Sequence, residues 1–249
     1  YQSYMRVSVK SISFGFESSG FTLETVNNVE FQITVTTTYE IRDIYTIDDL
    51  QNMENGYAYQ LMNDIDAKNH KWLPYDFIGY LDGKGFNIFN LSVIVENNSI
   101  ANQNYGMFSA FQGTIKNIAI QDAYYSIKTS GEVNVGGFAG YASNTSNILD
   151  SNFSGVISVE ASGGYVGGIV GRIQHYSVIK ATLVSNSSLY VNFTGESYSG
   201  LGGIAGMIAW QSKATNNIVD FSIIELIVTG VKQNIVFGGI IGDNYDSSL

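Results

Sequence analysis

Apolar residues along this chain recur in short runs, too short and too often interrupted for amphipathic helices. Examples are Ile115/Ile118/Ile120, Ile148/Phe153/Val156, Val178/Ala181/Leu183/Val191 and Ile218/Val219/Phe221/Ile223. Gly, Asn and Ser separate them, so each reads as a short strand ending at a corner. Four segments punctuate this pattern: Gly136-Gly137-Phe138-Ala139-Gly140, Gly167-Gly168-Ile169-Val170-Gly171, Gly202-Gly203-Ile204-Ala205-Gly206 and Gly238-Gly239-Ile240-Ile241-Gly242. They recur at intervals of 31, 35 and 36 residues, and a degenerate predecessor, Gly106-Met107-Phe108-Ser109, stands 30 residues upstream of Gly136. That period falls in the range of stacked repeat architectures. One such coil cannot bury its apolar face, whereas coils stacked in register bury a continuous column. The pattern therefore predicts an all-β fold, a right-handed parallel β-helix. Its Gly-Gly pairs would sit where every coil turns the same corner and would serve positive φ, close backbone approach, or both. A propeller needs a longer blade and tight hairpin signals, which these repeats lack.

The first half reads differently. Val29, Phe31, Ile33, Val35, Thr37, Tyr39 and Ile41 alternate with polar residues, as in a half-exposed strand, and Asn27-Asn28 precedes them. A hairpin over residues 20–41 follows, inside an N-terminal segment 1–43 set apart from the β-helix at 44–249. At Thr46-Ile47-Asp48-Asp49-Leu50 the sequence predicts a short capping helix, with Thr46 as N-cap and two carboxylates at its positive end.

Ile47-Asp48-Asp49-Leu50, then Tyr59-Gln60-Leu61-Met62-Asn63-Asp64-Ile65-Asp66, then Leu81-Asp82-Gly83-Lys84-Gly85-Phe86-Asn87-Ile88 lead into the Gly-Gly repeats. This succession resembles proteins that carry the GLUG motif, over roughly residues 44 to 242. The resemblance implies a β-helical module of large surface or secreted proteins, including adhesin-like proteins and the non-catalytic part of some bacterial immunoglobulin-A proteases. It thus implies a structural or binding role; separately, no cofactor is expected. The motif's third residue, often Leu in that family, is Phe or Ile here.

Composition narrows the function classes. The chain has 249 residues and a formal net charge of −10, and its 12 Lys and Arg form no local cluster, which disfavours nucleic acid. There is no cysteine, hence no disulfide, thiolate metal site or cysteine nucleophile. No apolar run is long enough to span a bilayer. Six Asn-x-Ser/Thr triplets begin at Asn90, Asn97, Asn144, Asn152, Asn186 and Asn192. They would accept glycans in a eukaryotic secretory pathway, although a chain rich in these residues also produces such triplets by chance.

Candidate chemistry is sparse. Asp64, Asp66, Asp76 and Asp82, with Lys68, Lys71 and Lys84 nearby, form the densest carboxylate group. Asp64, Asp66 and Asp82 are the calcium candidates, against a plainer reading as turn-forming aspartates. His70 and His175 lie far apart with no nucleophile or metal spacing around either. Ten aromatics near corners could line up as a stripe for sugars or a protein: Tyr105, Tyr124, Tyr125, Tyr141, Tyr165, Tyr176, Tyr190, Tyr198, Trp210 and Tyr245. No polar cap follows the last Gly-Gly segment, which suggests a piece of a longer protein, or self-association through an open C-terminal coil. The expectation is a non-catalytic extracellular or cell-surface scaffold for adhesion or filament assembly, with protein or glycan partners. The alternative is a polysaccharide-binding or polysaccharide-degrading β-helix.

Overall fold

The computed structural model describes residues 41–97, 101, 103–220, 223–229 and 234–245. Apart from Ile41, the expected hairpin and the alternating strand of residues 29–41 lie outside them. The described residues form a right-handed parallel β-helix of about five turns. Each coil visits three sheets in turn, and the coil from Glu132 illustrates the path. The chain runs along Glu132–Gly136 in one sheet, turns at Gly137-Phe138, and continues through Ala139–Ala142 and Asn147–Leu149 in the largest sheet. It then returns through Asn152–Ala161 in the third sheet to begin the next coil at Gly163–Gly167. Pairing is parallel from coil to coil: Glu132–Gly136 lies beside Gly163–Gly167, Ala139–Ala142 beside Val170–Ile173, and Asn152–Ala161 beside Ser188–Phe193.

The repeats stack in register. Gly136 pairs with Gly167, Gly167 with Gly202 and Gly202 with Gly238. Inside the coil this aligns apolar columns such as Ile115, Ile148 and Ile179, or Ile120, Phe153 and Val184, all fully buried. Each such side chain contributes about 1.5–3 kcal/mol of burial that a lone coil could not gain. The short alternating runs are thus the inward faces of strands.

Of the two reasons offered for the glycines, the structure selects close approach. None of the twelve motif glycines has positive φ. A Cβ on Gly168 would stand 2.4 Å from the Gly203 carbonyl oxygen and 2.8 Å from Val184, and one on Gly171 would stand 2.5 Å from the Val135 nitrogen. Left-handed backbone instead falls at other corners, on Asn117, Asp150, Ala181 and Asn216 among others. These four stack through Asn117 N–H to Leu149 O, Asp150 N–H to Lys180 O and Ala181 N–H to Thr215 O.

The short helix forms at Ile47–Gln51 with Thr46 as N-cap. Asp49 N–H donates to the Thr46 hydroxyl at 3.1 Å and Thr46 N–H to the Asp49 carboxylate at 2.9 Å, a reciprocal capping box. Leu50 and Met53 enter the common core. The preceding strand, Ile41–Ile44, pairs with Ala58–Leu61 in the largest sheet, so the boundary placed between 43 and 44 falls within it. Among the described residues no helix is long and apolar enough to cross a membrane.

One further corner is built from buried serines. Ser146 N–H donates to the Ser177 hydroxyl at 3.0 Å, and Ser177 N–H to the Ser212 hydroxyl at 3.1 Å. Ser177 in turn donates to the Gln174 carbonyl at 2.8 Å. All three serines are fully buried, and this ladder satisfies backbone groups that the turn would otherwise orphan.

Candidate functional site

The final glycine of each motif brings two sheets together. Besides Gly171, a Cβ on Gly206 would lie 2.4 Å from the Val166 nitrogen, and one on Gly242 2.6 Å from the Leu201 nitrogen. Along this seam the residue after the final glycine forms one wall, a column of Tyr141, Arg172, Met207 and Asp243 in register. The residue two before the first glycine forms the other: Asn104, Asn134, Tyr165, Gly200 and Val236.

Over the last described coils the seam opens into a cleft of about 460 Å³, lined by Tyr165, Arg172, Tyr198, Met207, Ala209, Trp210, Asp243 and Tyr245. Tyr198 enters through a lengthening of the repeat. The offset between neighbouring coils is 32 residues where Ala161 pairs with Phe193 but 35 where Tyr165 pairs with Gly200, so the added residues lie just before that strand. Trp210 enters through the backbone. It and Gln211 are consecutive left-handed residues, φ 49° and 58°, stacked over the same conformation at His175-Tyr176 and Asn144-Thr145. The levels are joined by Thr145 N–H to His175 O and Tyr176 N–H to Trp210 O. Left-handed backbone at bulky residues costs of order 1–3 kcal/mol each, and such strain clusters at functional sites. The Trp210 ring rests against His175, with centroids 4.3 Å apart. A smaller cavity of about 270 Å³, lined by His175, Tyr176, Trp210 and Gln211, shares the same indole.

The charges in the cleft are few and separated. Arg172 and Asp243 occupy one column with Met207 between them, their backbones two strand spacings or roughly 10 Å apart. Among the described residues neither forms an ion pair. The Arg172 guanidinium carbon stands 5.8 Å from the centre of the Tyr165 ring. Burial, reinforced by the charge of Asp243, pushes the Tyr165 and Tyr198 hydroxyls above their ordinary range, so both remain protonated donors. Three buried polar atoms on one short stretch have no hydrogen-bond partner among the described residues: Arg172 Nε, Gln174 Oε1 and His175 Nδ1. A native fold leaves few such atoms, and each calls for an explanation.

The other candidates from the sequence are dispersed. Asp64 accepts from Asn87, both backbone and side chain, at 2.8 and 3.0 Å. Asp66 accepts from Lys68 N–H and the Asn90 amide, and Asp82 from Lys84 N–H and the Asn117 amide, with Lys116 Nζ 3.3 Å away. Asp76 accepts from Ser109. Among the described residues no three His, Asp or Glu side chains converge as metal ligands. His70 lies 3.9 Å from Asp48 beside Trp72. Of the six triplets, Asn144, Asn152 and Asn186 are exposed, while Asn90, Asn97 and Asn192 are half-buried.

The ten aromatics do not form a single stripe. Tyr125 is wholly buried and donates to the Gly137 carbonyl at 2.8 Å; Tyr105 is also buried. Tyr124 and Tyr190 lie exposed on the third sheet. Only Tyr165, Tyr198, Trp210 and Tyr245 meet at the cleft. Sequence reasoning missed Arg172, Met207 and Asp243, although the signal was present: each directly follows a motif's final glycine.

No protein-family model matches the chain, and no curated protein matches it. Among solved structures it is similar to "a putative immunoglobulin A1 protease from Bacteroides ovatus", with a TM-score of 0.55 and 18% identity over 82% of this chain and 73% of that one. At that identity the likeness establishes the fold alone, in agreement with the parallel β-solenoid.

Proposed function

We propose that this chain is a non-catalytic scaffold of the extracellular or cell-surface kind, related to the GLUG-repeat proteins and working in adhesion, and that it grips a glycan in the cleft. The carrying observation is the convergence of Tyr165, Tyr198, Trp210 and Tyr245 around a recess with one cation and one carboxylate. Aromatic faces bury the apolar face of a sugar ring at low entropy cost, while the Tyr hydroxyls, Asp243 and Arg172 supply donors and acceptors for its hydroxyls. Glycoside hydrolysis ordinarily uses two carboxyl groups about 5–9.5 Å apart. Among the described residues Asp243 is the one carboxylate lining this cleft, which favours holding a glycan over cleaving it. The protease name of the structural neighbour is weighed the same way: among the described residues no serine or histidine lines the cleft.

The test is binding of the purified chain to an arrayed set of glycans, followed by titration of the hits. Binding that disappears in Trp210→Ala, with the glycan recovered intact after long incubation, supports the reading. Cleavage products would replace it with the polysaccharide-degrading alternative, and binding untouched by Trp210→Ala would move the site elsewhere.

The adhesion reading includes self-association. Ile218, Ile223, Ile227, Phe237 and Ile240 expose apolar side chains in the last described coil, where strand Ile223–Val228 pairs on one side with Ser188–Phe193. Among the described residues that strand has no partner on its other side, and an edge of this kind can accept a further strand.

A further inference from the structure

The cleft's two charges differ in what they still require, and within the glycan-binding reading, on which this inference rests, that difference narrows the ligand class. Among the described residues Arg172 is the one cation lining the cleft. Its guanidinium has no carboxylate within ion-pairing distance among the described residues, and its Nε is buried without a partner. The centre of the Tyr165 ring stands 5.8 Å from the guanidinium carbon, an aromatic neighbour that does not compensate the charge as a carboxylate would. With Nε buried, the two terminal nitrogens are the edge a ligand can reach, and such a pair matches a planar carboxylate, which can take two parallel hydrogen bonds. Asp243 is an acceptor and can pair only with donors. Its backbone lies two strands, roughly 10 Å, from that of Arg172 beyond Met207, and the two side chains form no ion pair among the described residues, so both charges remain for one ligand.

We infer that the cleft selects a sugar bearing a carboxylate, with that carboxylate on Arg172, its hydroxyls on Asp243 and Tyr198, and its ring against Trp210. Charge limits the class further. The chain carries a net charge of −10, and Asp243 would repel a second carboxylate, so the ligand is an acidic unit in an otherwise neutral glycan and not a polyanion.

The experiment measures monosaccharide binding to the whole chain by ligand-observed NMR. Glucuronate, galacturonate and N-acetylneuraminate are compared with glucose, galactose and N-acetylgalactosamine. At least one acid should bind about ten-fold or more tightly than its neutral counterpart, the size expected of charge-assisted hydrogen bonds. In Arg172→Gln that preference should vanish while weak neutral binding persists; in Arg172→Lys it should be reduced but present, since charge is kept and the fork is lost. Trp210→Ala should lose acids and neutral sugars alike. A thermal melt confirms that each variant is folded, and the Lys variant keeps the question open to decision should the Gln variant unfold. Equal binding of acids and neutral sugars, or an acid preference surviving in Arg172→Gln, would overturn this inference and leave the glycan reading standing. Failure of every sugar to bind would overturn both.

Discussion

The second glycine of the repeat provides a controlled perturbation, because its surroundings change along the stack while its place in the motif does not. In Gly168→Ala the added Cβ would meet the Gly203 carbonyl oxygen at 2.4 Å and the two Val184 methyls at 2.8 and 2.9 Å. Of these contacts the carbonyl belongs to the parallel stack itself, since Gly168 N–H donates to that same oxygen at 3.0 Å and cannot retreat without breaking the coil-to-coil bond. Overpacking of this kind costs typically 1–3 kcal/mol, and a rigid backbone contact belongs at the upper end. Against this, replacing Gly by Ala where φ is not positive restricts the unfolded chain and stabilises by about 0.4–1 kcal/mol. The net expectation is a loss of about 2 kcal/mol, which lowers the melting temperature by roughly 4–8 °C for a chain of this size. Gly239 holds the same motif position but has nothing within 4 Å of its would-be Cβ and no positive φ. Gly239→Ala should therefore be neutral or stabilising by up to about 1 kcal/mol. Thermal unfolding followed by circular dichroism compares the pair. Equal destabilisation by both substitutions would refute the close-approach explanation, and a neutral Gly168→Ala would show that the coils can move apart at no cost.

Three other outcomes rest on the same geometry. Ser177→Ala removes the acceptor for Ser146 N–H and the donor to the Gln174 carbonyl in a fully buried corner, and should cost about 2 kcal/mol by urea unfolding; a loss below about 0.5 kcal/mol would remove the serine ladder from the account. Thr46→Ala should cost about 1 kcal/mol through loss of the helix cap. Hydrogen bonding with Thr46, and from Tyr45 N–H, holds the Asp49 carboxyl below its usual range, so its contribution is present above the unfolded value near 4 and is lost as pH falls through the lower folded value. Melting temperatures from pH 6 down to about 2.5 should then fall less steeply in Thr46→Ala than in the parent chain, and parallel curves would contradict the assignment. Sedimentation of the chain over a concentration series should reveal end-to-end association that weakens in Phe237→Lys combined with Ile223→Lys, and a monomer at every concentration would remove self-association from the proposed function.

Repetition made the architecture legible. Gly136, Gly167, Gly202 and Gly238 mark one place on successive coils, so their spacing alone implied the register that the paired strands adopt. The cap at Thr46 was legible for a different reason: a capping box is local, and every residue it needs lies within four positions. The cleft is neither repetitive nor local. Its walls alternate around a seam, so Tyr165 and Arg172 become neighbours across the turn, while Tyr190, nearer in sequence to Tyr198, lies on another sheet. Scanning for aromatics near corners gathered both kinds without distinction. The glycines supply what was lacking, because once they are understood as the seam where two backbones touch, the residues flanking them become its walls. The succession Tyr141, Arg172, Met207, Asp243 is then one surface that changes chemistry from coil to coil. The invariant part of each repeat holds the stack together, and the position beside it is left open to acquire a site.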